Sequence, residues 1–279
     1  MRFIRAFYYF ILTQVYGDVV LSLKPLGKDS SDYQLPRTPR AIVTDTILSD
    51  LNFAINNLPD TAYSGHAVKA TALGYLAKVY LANQRWQDAA ATAQLIMSSN
   101  KFSLYKGGIV FLPSQAGSAS GFLNKKGVDS TRATVIQTQS DQDWVYLRYA
   151  EILLIYAEAQ NEAVGPDASV YSAINQIRER PGVNMPDLPA GLSQDSMRTR
   201  IRHERRIELA MEGQRYFDLK RWKLDRVILP TIHDPGTTPI NGPLRTFPLR
   251  DTLWPVPQAE MDIAKSYNNV NFKQTSGYN

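Results

Sequence analysis

Apolar residues recur every three or four positions through most of the chain, and that period predicts helices. Phe3, Ile4, Phe7, Tyr8, Ile11, Leu12 and Val15 form one stripe, closed by Gly17. The segment 18–27 reads as an extended connection into a polar loop at 27–37. Thr38 as cap and Pro39 in the first turn then open a second helix, with Val43, Ile47, Leu51 and Ile55 on one face and an end at Leu58-Pro59. Leu73, Leu76, Ala77 and Tyr80, followed by Ala89 and Ala93, have the spacing of a tetratricopeptide repeat, in which small residues let two antiparallel helices approach closely. Gln84 and Arg85 make its turn. A second pair spans 144–163 and 167–180, parted by Gly165-Pro166, and residues 201–223 continue in helical period.

The period lapses in two places. From Lys106 to Asp143 run 38 residues rich in Gly, Ser, Lys and Gln, a length that in a compact domain marks a functional loop or an incomplete one and makes this stretch the candidate boundary. From 230 onward the chain is Pro-rich and predicts loop. The expected fold is therefore all-α, built of tetratricopeptide-like helix pairs with long irregular loops. It divides into a helical part at 1–105, a loop or insert at 106–143 and a helical part with an irregular tail at 144–279, within one structural domain.

Charge sharpens this picture. Ten Lys/Arg stand against five acids between Arg198 and Arg226, an excess equal to the whole chain's +5. A basic helix can bind phosphate backbones, but Arg200, Glu204 and Glu208 follow at four-residue steps, the spacing of an ion-paired helix face. Structural ion pairing is the expectation for Glu151, Glu158, Arg202, Glu204, Arg205, Glu208, Glu212 and Asp218, with no nucleic-acid partner. The chain has no cysteine, which excludes disulfides, thiolate metal sites and cysteine nucleophiles. Arg5 and Gln14 interrupt the first apolar stripe and no small-x-small cleavage site follows. It is expected to be a helix awaiting a partner ahead of residue 1 or elsewhere in the chain, and not an export signal or a membrane span.

Catalytic chemistry finds no foothold. His66, His203 and His233 are far apart and outside any H-E-x-x-H pattern, and GSASG at 117–121 places Ala119 where a nucleophile elbow needs serine. Glu151, Glu158 and Glu162 lie on adjacent turns of one helix, an arrangement expected to face solvent or pair with arginine. No catalytic residue, metal or cofactor is expected. Sugar rings present apolar CH faces that stack on aromatic side chains. Trp86, Trp144 and Trp222 fall in helical patterns and are read as packing. The loop aromatics Tyr33, Tyr105, Phe111, Phe122 and Trp254 are the candidate ligand platform.

Several segments, in order, resemble the SusD/RagB family. RFIRAFYYFILTQVYGDVVL looks like its helix ending in a Y-G-D-V-P-L type turn, with Val20 where proline is common. RTPRAIVTDTILSDLNFAINNLP and HAVKATALGYLAKVYLANQRWQDAAATAQLIM resemble its repeat helices. WVYLRYAEILLIYAEAQNEA, IRHERRIELAMEGQRYFDLKRW and LWPVPQAEMDIAKSYNNVNF resemble its late helices and closing segment. The resemblance implies a surface lipoprotein of the outer membrane that binds an oligosaccharide or other nutrient and passes it to a TonB-dependent transporter. It also implies a chain shortened at its N-terminus and between 106 and 143. The alternatives are a helical-repeat protein interaction module and, further off, a glycan-active enzyme. The matching segments are scaffold, and no ligand residue is carried over from them.

Overall fold

A computed structural model describes residues 1–25, 27, 34–61, 65–105, 111–113, 122–124, 126, 144–232 and 246–278, with 111–113 and 122–124 described in backbone alone. Within these residues the chain runs α1 (Arg2–Tyr16), β1 (Val19–Val20), β2 (Arg37–Thr38), α2 (Arg40–Asn57), α3 (Lys69–Ala82), α4 (Trp86–Met97), β3 (Phe111–Pro113) and β4 (Phe122–Asn124). It continues through α5 (Tyr149–Ala163), α6 (Ala168–Glu179), α7 (Gln194–Glu208), α8 (Gln214–Arg221), α9 (Asp225–Ile228) and α10 (Gln258–Ser266), with short 3-10 turns at Leu229–Thr231 and Leu249–Thr252. The expected all-α class holds.

Successive helices from α1 to α6 pack on one another, and α7 lies against α5. Small residues set the spacing of the central pairs: Ala77, Ala89, Ala93, Ala157 and Ala173 are all fully buried in one apolar cluster with Leu153, Ile155 and Ile174. Gly74 belongs to the same logic, because a Cβ there would come within 2.3 Å of the Leu147 side chain. A second cluster joins α1, α2 and α3 through Ala6, Phe10, Val43, Ile47, Leu51, Tyr75 and Val79. The turn between α3 and α4 uses Gln84 at φ 57°.

Four boundaries differ from expectation, each for a physical reason. Thr38 does not cap α2; it pairs with Val19 in a two-residue ribbon, and the remote Asp18 carboxylate caps the helix by accepting from Arg40 N–H at 2.8 Å. Residues 144–148 precede α5 rather than forming its first turn, because Arg148 is extended (φ −138°, ψ 161°) and directs its guanidinium to Glu208 and Glu212. The helical run 201–223 is split at 209–213, where Met211 and Gly213 adopt left-handed backbone (φ 64° and 74°) and fold α8 back onto α5. The tail is not loop throughout: Pro257 leads into α10, which buries Ala264. The stretch 106–143 contains an antiparallel ribbon, β3 with β4, pairing Phe111 with Asn124 and Pro113 with Phe122. Among the described residues no helix is long and apolar enough to cross a membrane.

Candidate functional site

Of the acids of α5, Glu151 reaches the floor of the site and Glu158 and Glu162 lie further along the helix. Helical spacing carries Glu151, Glu158 and Glu162 along one side of α5, and each meets a cation from another element instead of solvent or its own helix. Glu151 Oε1 lies 2.9 Å from Lys78 Nζ of α3. Glu158 is clasped by Arg221 of α8, accepts from Trp222 Nε1 at 2.7 Å and lies 3.7 Å from Arg205. Glu162 accepts from Arg198 of α7 at 2.7 Å. Asp218 joins Arg205 and Arg221, accepting from Arg205 Nη2 at 2.9 Å and Arg221 Nη2 at 2.8 Å.

Glu204 and Glu208 of α7, and Glu212 in the break that follows it, also pair with cations from other parts of the chain. Glu204 meets Arg178, Glu208 meets Arg148 and Arg180, and Glu212 meets Arg148 and Lys126. The expected pairing within one exposed helix face is thus corrected: α7 packs on α5, so the partners come from distant sequence. Arg202 is also corrected, since its guanidinium lies 4.9 Å over the Trp222 ring.

Burial alone would raise the Glu158 and Asp218 carboxyls, but the charges of Arg221 and Arg205 outweigh it and hold both below the usual carboxylate range. Such acids have no proton to give at neutral pH, which is what glycoside hydrolysis requires of one member of its carboxyl pair. Glu179, raised by its hydrogen bond and charge repulsion with Asp187, is exposed at the end of α6 and does not line this site.

Above this floor opens a cleft of about 240 Å³ between α1, α3 and the segment 212–221. Its walls are Phe7, Ile11, Tyr75, Leu81, Ile155 and Phe217, and Trp144 and Tyr146 stand at its edge. Phe7 is the hub of an edge-to-face cluster, its ring 5.2 Å from Tyr75, 5.4 Å from Tyr146 and 5.2 Å from Tyr8. The rim rings remain available: Tyr8, Trp144 and Tyr146 are 60%, 62% and 58% exposed. Burial, and then the Glu151 charge, pushes the Tyr75 hydroxyl up, so it stays a neutral donor.

The expected loop platform fares differently residue by residue. Tyr33 lies outside the described residues, and so do the side chains of Phe111 and Phe122 on the β3–β4 ribbon. Tyr105 follows α4 and is 86% exposed. Trp254 is half exposed; its backbone N–H donates to Val15 O at 3.0 Å and its Nε1 to Tyr216 Oη at 2.9 Å, which anchors it at the end of α1 and on α8. These two are carried by different parts of the scaffold. The structure also corrects the reading of Trp144 as helix packing, because the segment before α5 is extended and leaves its ring outside. The first helix splits: Phe3 and Phe7 pack against the second cluster, while Ile4, Tyr8, Ile11 and Leu12 stay exposed.

Comparison with known proteins places these features in context. Residues 75–278 match the family model described as "SusD family", and residues 2–81 one described as "Starch-binding associating with outer membrane". SusD-like protein P2 of Formosa agariphila is 26% identical over 93% of this chain and 70% of its own length. Among solved structures, a SusD-like carbohydrate binding protein from Bacteroides fragilis superposes with a TM-score of 0.78 at 20% identity, covering 94% of this chain and 77% of the other. A laminarin binding SusD-like protein gives 0.74 at 21% identity, covering 99% and 77%.

Proposed function

The chain belongs to the SusD family, and on that premise we propose that it is a surface glycan-binding protein of the outer membrane, delivering its ligand to a TonB-dependent transporter. The observation that carries this reading is the pair of exposed rings, Trp144 and Tyr146, held at a cleft whose lining includes the buried charges Glu151, Arg205 and Asp218, with Tyr8 exposed beside Phe7. The capture role fits acids that are saturated by arginine and have no proton to donate.

Calorimetric titration with neutral oligosaccharides tests the reading, beginning with laminari-oligosaccharides because of the laminarin binding relative. Saturable binding without turnover supports capture. Product formation on the same panel supports an enzyme. Co-purification with a TonB-dependent outer-membrane protein tests the delivery step.

A second reading, a protein interaction module, draws on the apolar stripe Ile4, Tyr8, Ile11 and Leu12 of α1. It expects those side chains to mediate association with no glycan bound.

A further inference from the structure

We propose that the face of α7 and α8 around Trp222 is an oxyanion site, separate from the cleft, which takes a sulfate or phosphate ester carried on a glycan chain. The site is read from charge and geometry alone; only the glycan as carrier rests on the capture reading above.

It begins with charges that the ion pairs leave over. Residues 198–226 hold ten cations and five acids. Three of those acids are taken by cations from outside the segment: Glu204 by Arg178, Glu208 by Arg148 and Arg180, and Glu212 by Arg148 and Lys126. Arg202, Arg206 and Arg215 consequently meet no carboxylate among the described residues. The acids whose charge reaches Arg202 and Arg215 are engaged elsewhere, Glu158 by Arg221, Glu162 by Arg198 and Asp218 by Arg205 and Arg221.

Geometry gathers the three. Arg202 and Arg206 follow one another by four residues on α7, where like charges repel. The guanidiniums of Arg202 and Arg215 lie 4.9 Å and 5.8 Å from the centre of one indole ring, that of Trp222, so two helices deliver cations to one point. Burial, and then the charge of Arg206, pulls the Arg215 guanidinium below its ordinary value, and burial does the same to Arg202. Cations that are partly desolvated and share no anion are unfavourable, and a bound anion relieves them. Arg206 is exposed and the other two are half-buried, so a ligand reaches them from solvent; none of the three lines the cleft.

The residue type narrows the anion. A guanidinium presents a planar fork of donors to two oxygens at once. A carboxylate offers two oxygens and a sulfate or phosphate ester three, and three forks arriving from two helices match the ester. Their number narrows the carrier. Anionic bilayers are met by clusters of roughly four to eight Lys/Arg, and a duplex by roughly six to ten phosphate contacts. Three arginines around one ring fit one or two ester groups on a chain.

The test is calorimetric titration of the full chain with dextran sulfate and, as its neutral match, dextran. Phosphatidylcholine vesicles containing phosphatidic acid and a DNA duplex serve as the other carriers, with inorganic sulfate and phosphate as competitors. Dextran sulfate is expected to bind more tightly than dextran, to be displaced by the inorganic anions, and to lose this advantage as NaCl is raised to about 0.3 M. Arg206→Gln and Arg215→Gln should each weaken it by about tenfold, and the triple change of Arg202, Arg206 and Arg215 to Gln should remove the advantage over dextran. Removing the same charge by Lys24→Gln, Lys265→Gln and Lys273→Gln, exposed lysines on other elements, should leave most of it. The arginine triple should keep wild-type affinity for laminari-hexaose; absence of any neutral binding would fall on the capture reading alone. Ligand-free Arg206→Gln, whose side chain is exposed, should melt no lower than wild type, and a drop would give the cluster a structural role and overturn the proposal. So would a lysine triple as damaging as the arginine triple, which is general attraction to a basic protein, or a sulfated chain bound no tighter than dextran. Tighter binding to the vesicles or the duplex than to dextran sulfate overturns the glycan as carrier.

Discussion

Helix α5 faces two interfaces that solve the same problem by opposite means. Towards α4 and α6 it packs through small and branched apolar residues: Leu153 and Ala157 share one cluster with Ala89, Ala93 and Ile174. Towards α7 and α8 it buries charge, with Glu158, Arg205, Asp218 and Arg221 nearly all removed from water. Dispersion and the loss of apolar surface hold the first, and small errors are absorbed by repacking. The second depends on every ion keeping its partner, because a buried charge without one costs far more than a pair contributes. The ionic side is also where the cleft opens, so stability and the ligand floor draw on the same arginines.

The sharpest way to break this contrast is Glu158→Ala. It leaves two buried arginines, Arg221 and Arg205, sharing the single carboxylate of Asp218 and removes the acceptor of Trp222 Nε1. The expected loss is about 3–5 kcal/mol, read as a drop in the urea midpoint. Glu158→Gln keeps the shape and one acceptor and should lose less. Acid attacks the same lattice. Glu158 and Asp218 are held below their ordinary pKa values, so the stability they add is present above the unfolded carboxylate range and lost as pH falls through the lower folded values. Thermal midpoints should therefore fall steeply below about pH 4, and Glu158→Gln should show a shallower fall. Equal slopes for both proteins would remove the lattice from the account of acid sensitivity.

The dry side predicts a smaller effect. Ala157 is fully buried, and Ala157→Leu forces extra methylenes between α5 and its neighbours. The expected cost is about 1–3 kcal/mol, independent of pH. A loss as large as that of Glu158→Ala would mean that the small-residue seam, not the charge lattice, is the more exacting interface.

These two interfaces also differ in how far the sequence discloses them. The dry seam is local information: Ala77, Ala89 and Ala93 fall at repeat spacing, and the helices they join are neighbours in the chain. The charges of α7 were visible as residues but not as partners. Spacing rules look three or four positions away, whereas Glu158 finds Arg221 and Glu208 finds Arg148 about sixty positions off. The packing of α7 on α5 joins Glu208 to Arg148, and the left-handed turn at Met211 and Gly213 joins Arg221 to Glu158, with Gly213 as that turn's local sign. The cleft inherits that difficulty, since α1, α3, the segment before α5 and α8 each supply part of it. Exposure of Trp144 followed from where α5 starts, and boundaries are the least certain part of a periodic pattern.

Outside both interfaces, the aromatic surface should affect binding and leave stability alone. Tyr105→Ala and Trp254→Ala are each expected to weaken oligosaccharide affinity by about two- to tenfold, with an unchanged thermal midpoint, and less than Trp144→Ala does. A fall in midpoint for Trp254→Ala would instead assign its hydrogen bond to Tyr216 a structural role.

The smallest effect belongs to an ion pair with the same chemistry as the lattice but in water. Arg85 and Asp88 open α4 at i,i+3, with Arg85 Nε 2.7 Å from Asp88 Oδ2 and both side chains 47% exposed. Solvent screens their attraction, and each partner is well hydrated once the other is gone. Asp88 also sits in the first turn, where a negative charge favours the helix by a few tenths of a kcal/mol or somewhat more. Asp88→Ala should therefore cost about 0.5 kcal/mol, close to the resolution of a urea titration, and 0.5 M salt should shrink even that difference. The distances in this pair and in Arg205–Asp218 are nearly alike, 2.7 Å against 2.9 Å, so burial accounts for the contrast in expected cost. If Asp88→Ala approached the loss seen for Glu158→Ala, geometry rather than burial would govern these pairs, and the distinction between the two sides of α5 would fall with it.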